Sequence, residues 1–143
     1  MNEHLSQDLY IKSLKDLGSI DYSGRISYSG FGEPLLHPKL LDLVRTTRSV
    51  LPKCWLDIVS NGDKLSPKVM KELFDVGLTT LLISMYDGPE QIEYFNKMIS
   101  KAGLSPDNVI LRTRYLPPEE GYGINLTNRA GMRQRMRNKS WFR

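Results

Sequence analysis

The feature that most constrains this chain is a repeating unit. Four short stretches rich in β-branched and apolar residues begin at Arg25, Trp55, Thr80 and Val109, so successive starts fall 30, 25 and 29 residues apart. Between them, apolar residues recur at helical spacing over Lys39–Leu51, Lys68–Val76 and Glu90–Ala102. The boundaries carry helix punctuation. Ser66 precedes Pro67 as a cap before a first-turn proline, Gly88-Pro89 opens the last helical stretch, and Gly77 and Gly103 close the second and third. An earlier segment with Leu5, Leu9, Leu14 and Leu17 among polar residues reads as a leading helix stopped by Gly18. Strands that alternate with helices predict an α/β fold with a parallel sheet and right-handed crossovers.

In such sheets ligands gather at the carboxyl ends of the strands. The four segments at those ends are "SGFGEP", "SNGD", "SMYDG" and "RYLPPEEGYG", each mixing polar or charged groups with Gly or Pro. The opposite ends, "DYSG", "LPKC", "DVGLT" and "LSPDN", read as connectors. One end of the sheet is therefore the expected ligand end. Asn61-Gly62 is a strong hairpin signal elsewhere. Here a capped helix follows, so it reads as a βα loop, with Gly62 allowing a ligand to approach the backbone. The two glycines of "GFGEPL" do not complete a dinucleotide fingerprint, and no phosphate-binding P-loop is present. His37 reads as a helix-entry residue and Cys54 as core. Asp63 and Asp87 read as turn-formers rather than metal ligands.

Composition bounds the function. At 143 residues, 40% hydrophobic and 25% charged, the chain is long enough for one domain with a real core. No apolar run reaches membrane-spanning length, no secretory signal pattern opens the chain, and a single cysteine is in keeping with a reducing cytoplasm. The net charge of +4 is unevenly placed. Residues 1–111 hold 12 Lys/Arg and 14 Asp/Glu, whereas residues 112–143 hold 8 Lys/Arg and two Glu. We therefore expect a domain over residues 1–116 and a basic tail over 117–143. The tail, "NRAGMRQRMRNKSWFR", interleaves cations with aromatics, as single-strand binders do. Charge without a recognition motif supports only weak nonspecific contact, so a nucleic-acid partner is not expected.

The stretch "SGFGEPLLHP", Ser29 to Pro38, resembles the GGEP motif of the radical S-adenosylmethionine (SAM) superfamily. "SNGD" and "ISMYDG" follow in the order of that family's next strand ends, so the resemblance spans Gly24 to Tyr115. The later "NLTNRAGM" is similar to the connector into the C-terminal region of the SPASM-type subfamily. The resemblance implies a partial (β/α) barrel, about four parallel strands with helices on the outer face. It implies S-adenosylmethionine as cofactor, with Gly32, Glu33 and Pro34 at its ammonium. Ser84 would meet its carboxylate or ribose, Ser60 and Asn61 would lie toward the ribose, and Arg112 or Arg114 would pair with the carboxylate, according to strand register.

Family members reduce SAM to a 5′-deoxyadenosyl radical with an electron from a [4Fe–4S] cluster held by a CxxxCxxC motif. This sequence has only Cys54, and in the wrong unit, so the cluster ligands are absent from it. The expectation is the middle portion of a radical SAM protein, from a truncated gene, a split gene or an internal start. It would be inactive alone and would need a cysteine-bearing upstream segment or chain; its small-molecule or peptide substrate is undefined by the sequence. The alternative is a cluster-less module that binds SAM or a similar small molecule without catalysis.

Overall fold

The computed structural model describes residues 5–30 and 32–115. The expected tail over 117–143, with its SPASM-like segment, lies outside the described residues. The elements run in alternating order. They are α1 (Gln7–Ser19), β1 (Arg25–Tyr28), α2 (Leu40–Val50), β2 (Trp55–Ser60), α3 (Pro67–Asp75), β3 (Thr80–Met85), α4 (Glu90–Lys101) and β4 (Val109–Thr113). Short 3-10 turns at Pro34–Leu36 and Pro106–Asn108 precede α2 and β4. The strands form one sheet in the order β1-β2-β3-β4, and every pair is parallel.

Helix ends follow backbone hydrogen-bond needs. Ser66 Oγ accepts the Val69 amide at 3.2 Å, and Pro67 occupies the first turn of α3, where its missing N–H costs nothing. After α3, Gly77 is left-handed, and the pairs Leu78 N to Leu73 O and Gly77 N to Phe74 O satisfy the last carbonyls. Leu104 to Ile99 and Gly103 to Ser100 repeat this closure after α4. α1 departs from expectation. Gly18 lies inside the helix, and Asp21, at φ 50°, takes the left-handed position, with Tyr22 N bonding Leu17 O and Asp21 N bonding Gly18 O. A short acidic side chain tolerates that conformation better than most residues do.

The ladder sorts the side chains onto two faces. Leu56, Ile58, Leu81, Ile83, Met85 and Val109 alternate onto one face and join the core with Leu14, Leu40, Val44, Met70, Leu73, Phe95 and Ile99 from the helices. All four described helices therefore cover a single face, as sequential parallel strands with right-handed crossovers require. The other face carries Arg25, Ser27, Trp55, Asp57, Val59, Thr80, Leu82, Ser84, Ile110 and Arg112. Trp55 and Ile110 are about half exposed there. Asp57, only 1% exposed, accepts Arg25 Nε at 2.5 Å, Arg25 Nη2 at 3.0 Å and Ser27 Oγ at 2.7 Å, fixing β1 against β2. This hydrogen-bonded pairing holds the Arg25 guanidinium's pKa above its ordinary value.

Two polar devices tie the helices to the sheet. The Tyr10, Tyr28 and Thr47 hydroxyls bond one another and the Leu43 carbonyl, joining α1, β1 and α2. Arg48 donates to the Gly77, Pro52 and Cys54 carbonyls and to Thr79 Oγ1, clamping the amino ends of β2 and β3. Among the described residues no helix is long and apolar enough to cross a membrane.

Candidate functional site

The β1–α2 connection brings Glu33 over the carboxyl end of β2. Glu33 is 8% exposed, and its carboxylate takes three donors. Oε1 accepts the Leu35 amide at 3.1 Å and Ser60 Oγ at 2.8 Å, and Oε2 accepts the Asn61 amide at 2.9 Å. The first bond caps the Pro34–Leu36 turn, whose first residue is a proline for the same reason as in α3. Glu33 is thus both a cap and a brace between β1 and β2. A carboxylate offers about four acceptor positions, so one on Oε2 is left. No cation among the described residues forms an ion pair with Glu33. A buried carboxylate held only by neutral donors is unusual, because burying charge is costly without a counter-charge.

Ser60 and Asn61 diverge at the end of β2. Ser60 pairs in register with Ile83, a core residue, so its side chain lies on the helix face. Its hydroxyl donates to Glu33 and accepts the Gly62 amide at 2.9 Å. Asn61 Oδ1 accepts the Asp63 amide at 2.9 Å in a local turn. Asn61 is 5% exposed, and its Nδ2 is buried with no hydrogen-bond partner among the described residues. Such an orphan donor costs roughly 1–3 kcal/mol unless something beyond the described residues accepts from it.

Register places the remaining residues. Extending the ladder one residue past Ser60↔Ile83 sets Asn61 opposite Ser84, and Ser84 pairs with Arg112. Asn61, Ser84 and Arg112 therefore form one row across three strands, roughly 10 Å long at the usual strand spacing. Below that row lies an apolar one, Val59, Leu82 and Ile110. Arg114 lies just past β4, where its amide continues the ladder to the Met85 carbonyl at 2.8 Å. The two-residue period puts Arg112 and Arg114 on the same face, free of helices among the described residues (the helix-free face), and only Arg112 lies in register with the row. Both are exposed.

The glycines differ. A Cβ on Gly32 would meet nothing within 4 Å, so that position opens onto free space beside Glu33. At Gly62 the missing side chain faces the protein's own core, a reason its sequence context does not suggest. Gly62 is left-handed at φ 81°, and a Cβ there would lie 2.5 Å from Phe95 Cζ and 3.1 Å from Ile83 Cγ2. Its glycine is required by the protein's own packing. Pro34 starts the 3-10 turn, and His37 Nδ1 accepts the Lys39 amide ahead of α2. Cys54 is buried in the helix-side core, its Sγ donating to the Tyr22 carbonyl. No group of three or more metal-ligating side chains occurs among the described residues.

Among the described residues the site thus offers a buried carboxylate with one open acceptor position, an amide donor without a partner and two guanidinium groups without an ion pair, all at the carboxyl end of a parallel sheet. No family model matches the chain. It is 29% identical over 124 residues to an S-adenosyl-L-methionine-dependent 2-deoxy-scyllo-inosamine dehydrogenase of Niallia circulans, covering 87% of this chain and 46% of that protein. It is 32% identical over 81 residues to a tungsten-containing aldehyde ferredoxin oxidoreductase cofactor-modifying protein of Pyrococcus furiosus, covering 57% of this chain and 22% of the relative. Among solved structures it is similar to BtrN in complex with AdoMet and 2-DOIA. The TM-score is 0.68 at 25% identity, over 80% of this chain and 46% of that one. Selenomethionine BtrN in an open conformation gives 0.63 at 25% identity, over 78% and 45%. The chain spans less than half the length of these relatives.

Proposed function

We propose that this domain holds the methionine end of S-adenosylmethionine and belongs to a radical SAM enzyme whose cluster ligands lie outside this sequence. The observation that carries the reading is Glu33, a buried carboxylate with no ion-pair partner among the described residues and one acceptor position left. An ammonium group supplies both the missing charge and the missing donor. Along the row, Ser84 and Arg112 would take the carboxylate of the same amino-acid moiety. The orphan Nδ2 of Asn61 would donate to a ribose or carboxylate oxygen between them. The open space at Gly32 admits the ligand. Ser60 has its hydroxyl committed to Glu33 and Gly62, so its part is to hold Glu33 in place. The SAM-dependent and AdoMet-bound relatives support this choice of ligand.

When bound, S-adenosylmethionine supplies the sulfonium whose carbon–sulfur bond such enzymes cleave. The chain's own residues bind and orient it. A [4Fe–4S] cluster does not fit these residues. Three thiolates are required and the sequence has one, Cys54, turned into the core on the opposite side of the sheet. The thiolates would have to come from a cysteine-bearing segment or chain outside this sequence. That one buried thiol also favours a second reading, a cluster-less module that binds SAM without catalysis.

Titrating the full chain with SAM while recording amide chemical shifts tests the binding claim. Shifts should be confined to residues 32–35, 60–62, 84–86 and 112–114. Asn61→Ala and Arg112→Gln should each weaken binding about tenfold or more, the range for a charged or buried hydrogen bond. Absence of shifts at millimolar SAM, or shifts elsewhere, would overturn it. Anaerobic supply of iron and sulfide separates the two readings. The isolated chain should hold no stoichiometric cluster and cleave no SAM under either. Cleavage on addition of the cysteine-bearing part of a relative would select the first.

A further inference from the structure

The site has one guanidinium more than its proposed cofactor needs. Five arginines fall among the described residues, and three are spoken for. Arg25 holds Asp57, Arg45 holds Asp42, and Arg48 clamps four acceptors. Arg112 and Arg114 form no ion pair within the described residues. They share the helix-free face, about 7 Å apart along the chain direction, since successive same-side positions on a strand are two residues apart. One bidentate guanidinium already balances the single charge of the cofactor's carboxylate, and Ser84 and Asn61 are at hand for its remaining acceptor positions. Arg112 lies in register with Ser84, inside the polar row. Arg114 lies beyond it, toward the open carboxyl end, where a second molecule would meet the first.

We propose that Arg114 is a substrate-specificity residue that recognises an oxyanion, a carboxylate or phosphate, on the molecule bound next to the cofactor. This rests on the SAM reading for the identity of its neighbour, but not for the anion contact itself. Arginine suits the role because its planar fork matches both anions and its charge persists at every working pH. The competing account is that two exposed cations at the end of β4, an edge strand of the described sheet, merely discourage edge-to-edge pairing.

The probe is inorganic phosphate, titrated into the full chain at constant ionic strength set with chloride, with and without SAM. Amide and arginine side-chain shifts are recorded. Phosphate should shift Arg114 and its neighbours whether or not SAM is present. Arg114→Gln should weaken phosphate binding about tenfold or more and leave SAM affinity within about twofold. Arg114→Lys, which keeps the charge and loses the fork, should recover only part. Arg112→Gln should show the reverse preference. Saturable phosphate shifts at Arg114 in a chain that ignores SAM would uphold the anion site and remove the SAM reading. SAM binding with no phosphate effect at Arg114, or phosphate shifts at Arg114 that grow without saturating and are matched by chloride, would leave only edge-protecting charges and overturn the proposal.

Discussion

Replacing Glu33 by glutamine turns one oxygen into a nitrogen at a point where three donors converge. Glutamine keeps one oxygen, which can still accept two of them. Its amide nitrogen must then face a backbone N–H, that of Leu35 or Asn61, donor against donor. Glu33 is 8% exposed, so water cannot easily repair the mismatch. One unsatisfied buried donor costs ~1–3 kcal/mol, and the charge-assisted bonds that remain are weakened as well. We expect Glu33→Gln to lose about 1–3 kcal/mol of stability, measured by urea denaturation followed by circular dichroism. A simple helix-capping carboxylate would lose only ~0.3–1 kcal/mol. SAM affinity should fall in the same variant. A loss below about 0.5 kcal/mol would show that the three bonds do not persist in solution and would refute the brace. An intact SAM affinity would refute the ammonium contact while leaving the brace standing.

Gly62→Ala should destabilise by at least ~1–2 kcal/mol, the cost of a left-handed alanine, with the Phe95 clash added, as seen in the same denaturation assay. Arg48→Met should cost about 1–3 kcal/mol by freeing three carbonyls and one hydroxyl at the amino ends of β2 and β3. Burial pushes the Tyr28 phenol well above its ordinary value. Unfolded tyrosine ionises near pH 10, so the folded chain binds more protons above that pH and its stability falls as pH rises further. Denaturation midpoints measured from pH 9 upward should decline, and Tyr28→Phe should flatten that decline.

Much of the scaffold is legible because its signals are local. The strand starts at Arg25, Trp55, Thr80 and Val109 match the structure, since each apolar run is bounded by turn residues within a few positions. Gly77 and Gly103 close their helices because the Schellman geometry needs a left-handed residue just there. Gly18 misleads for the opposite reason. A glycine within a helix costs only ~1 kcal/mol, which tertiary packing absorbs, and Asp21 serves as the left-handed residue instead. The turn at Pro34–Leu36 is too short to carry any periodicity, yet it sets the direction of Glu33. The reason for Gly62 lies in Phe95, 33 positions later, and no local pattern announces such a neighbour.

The site itself depends on register, which sequence specifies only indirectly. Asn61, Ser84 and Arg112 stand 23 and 28 residues apart, close to one βα unit each. A parallel ladder turns that spacing into adjacency, because each unit returns the chain to the same end of the sheet. The lengths of α3, α4 and their loops can change without disturbing the row. A one-residue slip within β3 cannot be tolerated in the same way, since it would exchange Ser84 for Ile83 or Met85 on the helix-free face and push a hydroxyl into the core. The apolar row Val59, Leu82 and Ile110 lies on the same face, where a slip of β3 would replace Leu82 by Leu81 or Ile83 and leave that row apolar. The helix-side core thus fixes the register, with Leu81, Ile83 and Met85 all 1% exposed or less. Functional geometry on one face of β3 is therefore held by hydrophobic burial on the other.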